Sequence, residues 1–154
     1  AESLGIRTCL LRTGIVLGKN GGALSKMILP FKLGLGGRIG SGNQWMPWIH
    51  IDDLISMIDY CIENPILQGP VNATAENPVT NAQFTIALGK ALRRPTLLPM
   101  PAFIIHFLMG EMGKELLLSG KKVHPIKATS AGFRFKYQKL DSALANIFCS
   151  VKFR

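Results

Sequence analysis

The sequence predicts an α/β fold: part of a parallel sheet with its helices, ending in a mainly helical region. Three observations carry that expectation. Residues 6–17 (IRTCLLRTGIVL) form a nearly continuous apolar run with no breaker before Gly14, as expected of a strand buried on both faces of a parallel sheet. Strand-like and helix-like segments then alternate as far as residue 92, the pattern of crossover-linked strands. Beyond Pro101 short helices dominate. Hydrophobic residues make up 47% of the 154 and charged residues only 18%, a balance that supports a core and argues against disorder.

The elements follow in order. The opening Glu2-Ser3-Leu4-Gly5 reads as the end of a helix running into the first strand, and the first residue is Ala1, so the sequence is expected to be a piece of a longer protein. Residues 18–22 form a turn. Residues 23–33 place Leu24, Met27, Ile28 and Phe31 at helical spacing, with a kink or early stop at Pro30. Residues 45–51 (WMPWIHI) read as a short strand. Asp52 then stands at a helix N-cap, where a carboxylate accepts backbone N–H bonds, and Leu54, Ile55, Ile58 and Ile62 share one face of that helix. Residues 69–74 are a short strand. Thr80 with Gln83 makes a capping-box signature for a helix to Leu92, with Phe84, Leu88 and Leu92 inward. Short helices are expected over 102–109, 111–119, 125–131 and 141–148, with Gly132 as a C-cap. The alternation of Phe133, Phe135 and Tyr137 marks an extended piece between the last two.

Residues 34–42 (GLGGRIGSG) invite a phosphate-loop reading, which the spacing rejects. The dinucleotide fingerprint needs glycine at its first, third and sixth places, and counting from Gly34 the sixth is Ile39. It also needs a strand before and a helix after, whereas here a helix precedes. A glycine-rich hairpin or mobile loop is expected instead.

The net charge of +9 favours anionic partners such as nucleotides. The charge is diffuse, with no Arg-rich run or interleaved aromatic ladder, so nucleic acid is not an expected partner. Cys9, Cys61 and Cys149 lie far apart, which excludes a zinc-knuckle spacing and leaves reduced thiols of a cytoplasmic protein. The most apolar stretch, residues 97–112, is short and broken by two prolines and His106, so no membrane span is expected. No metal site is expected either.

At Trp48-Ile49-His50-Ile51-Asp52-Asp53-Leu54 the sequence resembles the extended short-chain dehydrogenase/reductase family, which carries an aromatic-Ile/Val-His-Val-x-Asp-Leu/Val segment. The resemblance widens on both sides. Residues 11–18 (LRTGIVLG) are similar to the family's late sheet strand, residues 69–72 (GPVN) to its Gly-x-x-Asn strand, and residues 77–81 (NPVTN) to the opening of its next helix. The details look most like NAD(P)-dependent epimerase-family proteins of the YfcH type, and the likeness runs from about Leu4 to Phe148.

This resemblance implies the C-terminal part of a Rossmann-like doubly wound parallel sheet. Residues 1–75 would hold its last strands and helices with the glycine-rich loop, and residues 76–154 a mainly helical substrate-binding subdomain. It implies NADP or NAD as cofactor, gripped chiefly by an N-terminal nucleotide-binding segment upstream of Ala1, and a small-molecule substrate. A second copy of the chain is a further candidate partner. The family's Tyr-x-x-x-Lys pair is also expected upstream, since Asn64 and Asp141 stand four residues after Tyr60 and Tyr137. No catalytic residue is therefore assigned, and this piece alone should not turn over substrate. Thr13, Gly14, Ile15 and Val16 are the candidate cofactor-facing residues. Leu17, Met27, Arg38, Trp45 and Trp48 are the candidate substrate-facing ones, with core packing the competing role for Met27 and Trp48. His50 resembles a structural histidine of the family, and Asp52 and Asp53 read as helix-cap residues. Met46 stands where nucleotide-sugar members carry the arginine that pairs with a diphosphate, and Ile15 where many carry Asn. Both point to a smaller, less polar substrate.

Two rivals remain. The fold could serve as a non-catalytic binding or regulatory module, like relatives labelled cell-division inhibitors, or the positive charge could bind nucleic acid. Produced alone, the chain is expected to expose a sheet edge and to self-associate.

Overall fold

The computed structural model describes residues 2–19, 21–100 and 120–149. After a 3-10 turn (Glu2–Leu4) come β1 (Cys9–Thr13), β2 (Ile15–Leu17), α1 (Gly22–Lys32), β3 (Trp45–Met46), β4 (Trp48–His50), α2 (Ile51–Glu63), β5 (Gly69–Ala73), β6 (Val79–Thr80), α3 (Asn81–Leu92), α4 (Ile126–Ser130) and α5 (Leu140–Cys149). The helices expected over 102–109 and 111–119 lie outside the described residues.

The single long strand expected from the sequence is two strands with different partners. β1 runs parallel to β5, from Cys9 opposite Gly69 to Thr13 opposite Ala73. β2 runs parallel to β4, from Ile15 opposite Trp48 to Leu17 opposite His50. The exchange occurs at Gly14. Its amide donates to the Ala73 carbonyl at 3.1 Å, and the next amide, Ile15, donates to Pro47 at 2.8 Å. A Cβ at Gly14 would lie 2.8 Å from the Pro47 carbonyl oxygen, so this crossing requires glycine. β3 and β6 form an antiparallel pair. Among the described residues β1 is paired along one edge only, and its side chains alternate between half-buried and exposed instead of being covered on both faces.

Consecutive side chains on a strand point to opposite faces, and β4 uses this to separate two cores. Trp48 joins Leu17, Leu24, Met27, Phe31, Phe84 and Leu88 on the side of α1, α3 and α5. Ile49 joins Met57, Leu67, Val71, Phe133 and Phe135 under α2. Each such fully buried side chain contributes roughly 1.5–3 kcal/mol of transfer free energy.

Three helices end in a full Schellman motif, in which two crossed amides satisfy the last carbonyls. In α1 Leu35 donates to Pro30 and Gly34 to Phe31, which makes Pro30 an early stop that the helix tolerates for two residues. In α4 Phe133 donates to Ala128 and Gly132 to Thr129. In α3 Arg94 donates to Gly89 and Arg93 to Lys90. The left-handed residue is Gly34, Gly132 and Arg93 respectively, and Arg93, at φ 55°, is the sole non-glycine residue with positive φ among the described residues.

Two sequence expectations need correction. The glycine-rich stretch is an irregular loop and not a hairpin; no strand forms over residues 34–42. Gly36 lies against the Phe31 ring and Gly37 against the Leu98 backbone, both too closely for a side chain. The Arg38 carbonyl accepts from Met100, and the Ile39 amide donates to the Asn81 side chain at 2.8 Å. Glycine here serves close backbone approach to the start of α3. In α2 the buried stripe is Asp53, Met57 and Cys61, while Ile55, Ile58 and Ile62 are 52%, 39% and 67% exposed. A buried hydrogen-bonded carboxylate sets the rotation of that helix, so Ile55, Ile58 and Ile62 of the stripe read from the sequence face outward, while Leu54 packs against the core.

Candidate functional site

In parallel sheets ligands gather beyond the C-terminal strand ends. Those ends here are Thr13 on β1 and Ala73-Thr74 on β5, with Gly14 between them. Thr13 is exposed, and Gly14, Ile15 and Val16 are half-buried. The amides of Gly14 and Ile15 are consumed by Ala73 and Pro47, so neither can grip a ligand; these residues offer carbonyls, side chains and surface.

Thr74 escaped the sequence reading. Its side chain is 3% exposed, and its Oγ1 has no hydrogen-bond partner among the described residues. Its Cγ2 would lie 3.2 Å from a Cβ at Gly14. Buried hydroxyls are nearly always paired, so an orphan at the strand ends fits a site completed by a ligand. The signal was available: the residue follows the strand GPVNA, at the end where ligands bind.

The candidate substrate residues divide. Leu17, Met27 and Trp48 are at 0%, 4% and 1% exposure, so they back the strand ends from inside the core. The Trp48 indole N–H donates to the Asn77 carbonyl at 3.2 Å. Arg38 is exposed, and its position is fixed through its own carbonyl. Trp45 is half-buried, with the Lys122 ammonium 4.9 Å from its ring centre, a cation–π distance. Met46 is buried and receives the Asn81 amide on its sulfur at 3.2 Å, so its side chain turns inward, away from any ligand.

His50 and the two aspartates do structural work, with a correction to the expected cap. The N-cap is His50, whose Nδ1 accepts from the Asp52 amide at 3.1 Å. Its ring lies 3.9 Å from that of Tyr137, and the Tyr137 hydroxyl donates to Asp52 at 3.5 Å. Asp53 accepts from the backbone amides of Lys136 and Tyr137 at 2.8 and 3.0 Å, clamping residues 133–137 onto α2.

Burial lowers the His50 pKa, opposed by the Asp52 and Asp53 carboxylates and helped by Lys136, with the Asn146 side chain also opposing. A histidine held neutral in the fold stabilises fully above its ordinary value of 6.5. That stability is lost as pH falls below it, because the unfolded chain takes up the proton first. Thermal melts from about pH 8 to about pH 5 should show this decline, reduced in His50→Asn; an unchanged pH slope in the variant would contradict the assignment. Among the described residues no group of three His, Cys, Asp or Glu side chains could hold a metal, and no helix is long and apolar enough to cross a membrane.

Comparison with known proteins agrees with this architecture. Residues 1–73 match the NAD dependent epimerase/dehydratase family, and residues 100–147 match a domain of unknown function, DUF1731. The epimerase family protein YfhF of Bacillus subtilis is 44% identical over 151 residues. The chain belongs to the NAD-dependent epimerase/dehydratase family. The match to YfhF takes in 98% of the chain and 49% of YfhF. The chloroplastic SDR39U1 homologue of Arabidopsis thaliana is 46% identical, across 92% of the chain and 41% of its own length. The chain thus spans about half the length of the curated family members it matches. Among solved structures, human epimerase family protein SDR39U1 with NADPH superposes at a TM-score of 0.86, with 39% identity, over 94% of the chain and 49% of the human protein. A UDP-glucose 4-epimerase from Thermus thermophilus, at 17% identity and a TM-score of 0.64, shows the shared Rossmann-type fold alone. The α/β class read from the sequence is therefore the fold of this epimerase-family chain.

Proposed function

We propose that this chain forms the substrate-facing part of an NAD(P)-dependent epimerase or oxidoreductase, with NADP or NAD lying against the strand ends at Thr13–Val16. The observation that supports this most directly is the orphaned Thr74 hydroxyl beside Gly14, where a ligand would complete its hydrogen bonding. NADPH in the human relative supports the cofactor class. When bound, the nicotinamide would supply hydride transfer. This chain's own residues would position it: Gly14 by close approach, and Ile15 and Val16 by covering the ring against water. Thr74 would offer a hydroxyl. Trp45, Lys122 and Arg38 would border the substrate, while Leu17, Met27 and Trp48 stiffen the wall behind. A small substrate without a diphosphate fits this reading, because Met46 presents no donor there.

Fluorescence titration of the full-length protein with NADPH tests the proposal. Thr74→Val keeps the shape and removes one hydrogen bond, so it should weaken binding by roughly three- to tenfold. No binding at millimolar NADPH would favour the non-catalytic module, and equal affinity in the variant would remove Thr74 from the site.

A further inference from the structure

A cleft of about 790 Å³ opens between α1, α3 and α5. None of Thr13–Val16 lines it, so it is separate from the strand-end site. Its volume lies within the range of small-molecule sites, which are usually apolar with a few placed polar groups. The floor is hydrocarbon, from Ile28, Ala91, Leu144 and Phe148. The other lining residues include four cations, Lys19, Lys32, Lys90 and Arg93, against one carboxylate, Asp141.

The backbone adds a second, independent observation. Of the three Schellman caps, α1 and α4 place glycine in the left-handed position, and α3 places Arg93 there. A side chain in that conformation is strained, and such strain clusters at ligand clamps. The strained residue lines the cleft and carries the charge suited to an anion.

We propose that this cleft binds a medium-chain fatty carboxylate, with its tail on the apolar floor and its carboxylate on Lys90 and Arg93. A nucleotide fits less well, because its many polar edges would face a floor with no hydrogen-bonding groups. The enclosing helices suit a single alkyl chain better than a flat lipid surface. The proposal is independent of the cofactor reading.

Calorimetric titration of the full-length protein with decanoate, dodecanoate and neutral dodecanol, all below micelle formation, tests it. Two added methylenes should raise affinity about tenfold, and dodecanol should bind at least tenfold more weakly than dodecanoate. Lys90→Glu combined with Arg93→Gly should weaken dodecanoate binding at least tenfold. Arg93→Gly alone should raise the melting temperature by relieving the strained cap. Ala145→Trp, at an exposed position in the cleft wall, should abolish binding while NADPH titration is unchanged. Affinity indifferent to chain length or head group, or binding that survives Ala145→Trp, would overturn the proposal. So would anionic vesicles captured equally by wild type and every variant. The chain-length and head-group series uses wild-type protein, so it decides the matter even if a variant fails to fold.

Discussion

Asp53→Ala is expected to cost about 3–5 kcal/mol of folding stability. The carboxylate is 2% exposed and accepts two backbone amides, at 2.8 Å from Lys136 and 3.0 Å from Tyr137. Hydrogen bonds to a charged group contribute roughly 1.5–3 kcal/mol each, and alanine would strand both donors with no water to replace the oxygens. Asp53→Asn keeps the volume but turns an amide nitrogen toward one of the donors, so an intermediate loss of about 2–3 kcal/mol is expected. Urea denaturation of the full-length variants measures both. An alanine variant within about 1 kcal/mol of wild type would show that the clamp contributes little.

Residues 1–154 expressed alone are expected to self-associate at tens of micromolar, on the order of the concentrations at which exposed apolar surface and unpaired edges aggregate. β1 carries an unpaired edge among the described residues, and such an edge is a template for another strand. Ile6 and Leu10 beside it are 55% and 59% exposed, and the outward isoleucines of α2 add apolar surface. Size-exclusion chromatography with light scattering decides this. Leu10→Lys should shift the population toward monomer, by placing charge on the edge. A monodisperse wild-type monomer would contradict the argument.

Much of the fold was legible because local rules and packing agree. Thr80 and Gln83 form both bonds of the capping box. Gly132 takes the left-handed cap at φ 97°. Phe133, Phe135 and Tyr137 are buried in alternation with exposed Arg134 and Lys136. What was hidden depended on partners distant in sequence. Nothing in the neighbours of Asp53 announces a bond to residues 136 and 137, so the rotation of α2 was misjudged. The division of residues 9–17 into two strands depends on Pro47 and Ala73. The candidate site was placed at the strand ends by resemblance, but the use of the Gly14 and Ile15 amides within the sheet was not foreseeable from their identity. Thr74 looked like the tail of a strand until its hydroxyl emerged without a partner.

The change of partner at Gly14 also bears on how the chain is made. Cys9 pairs with Gly69, sixty residues later, whereas Ile15 pairs with Trp48. At ribosomal speeds of about 5–20 residues per second, β1 waits roughly 3–12 s for its partner to be polymerised. β2 can dock roughly one to four seconds sooner. Nascent chains in which residues 48–50 have left the ribosome but residues 69–73 have not should therefore shield Val16 while leaving Leu11, which the finished fold packs against the core, open to chaperones.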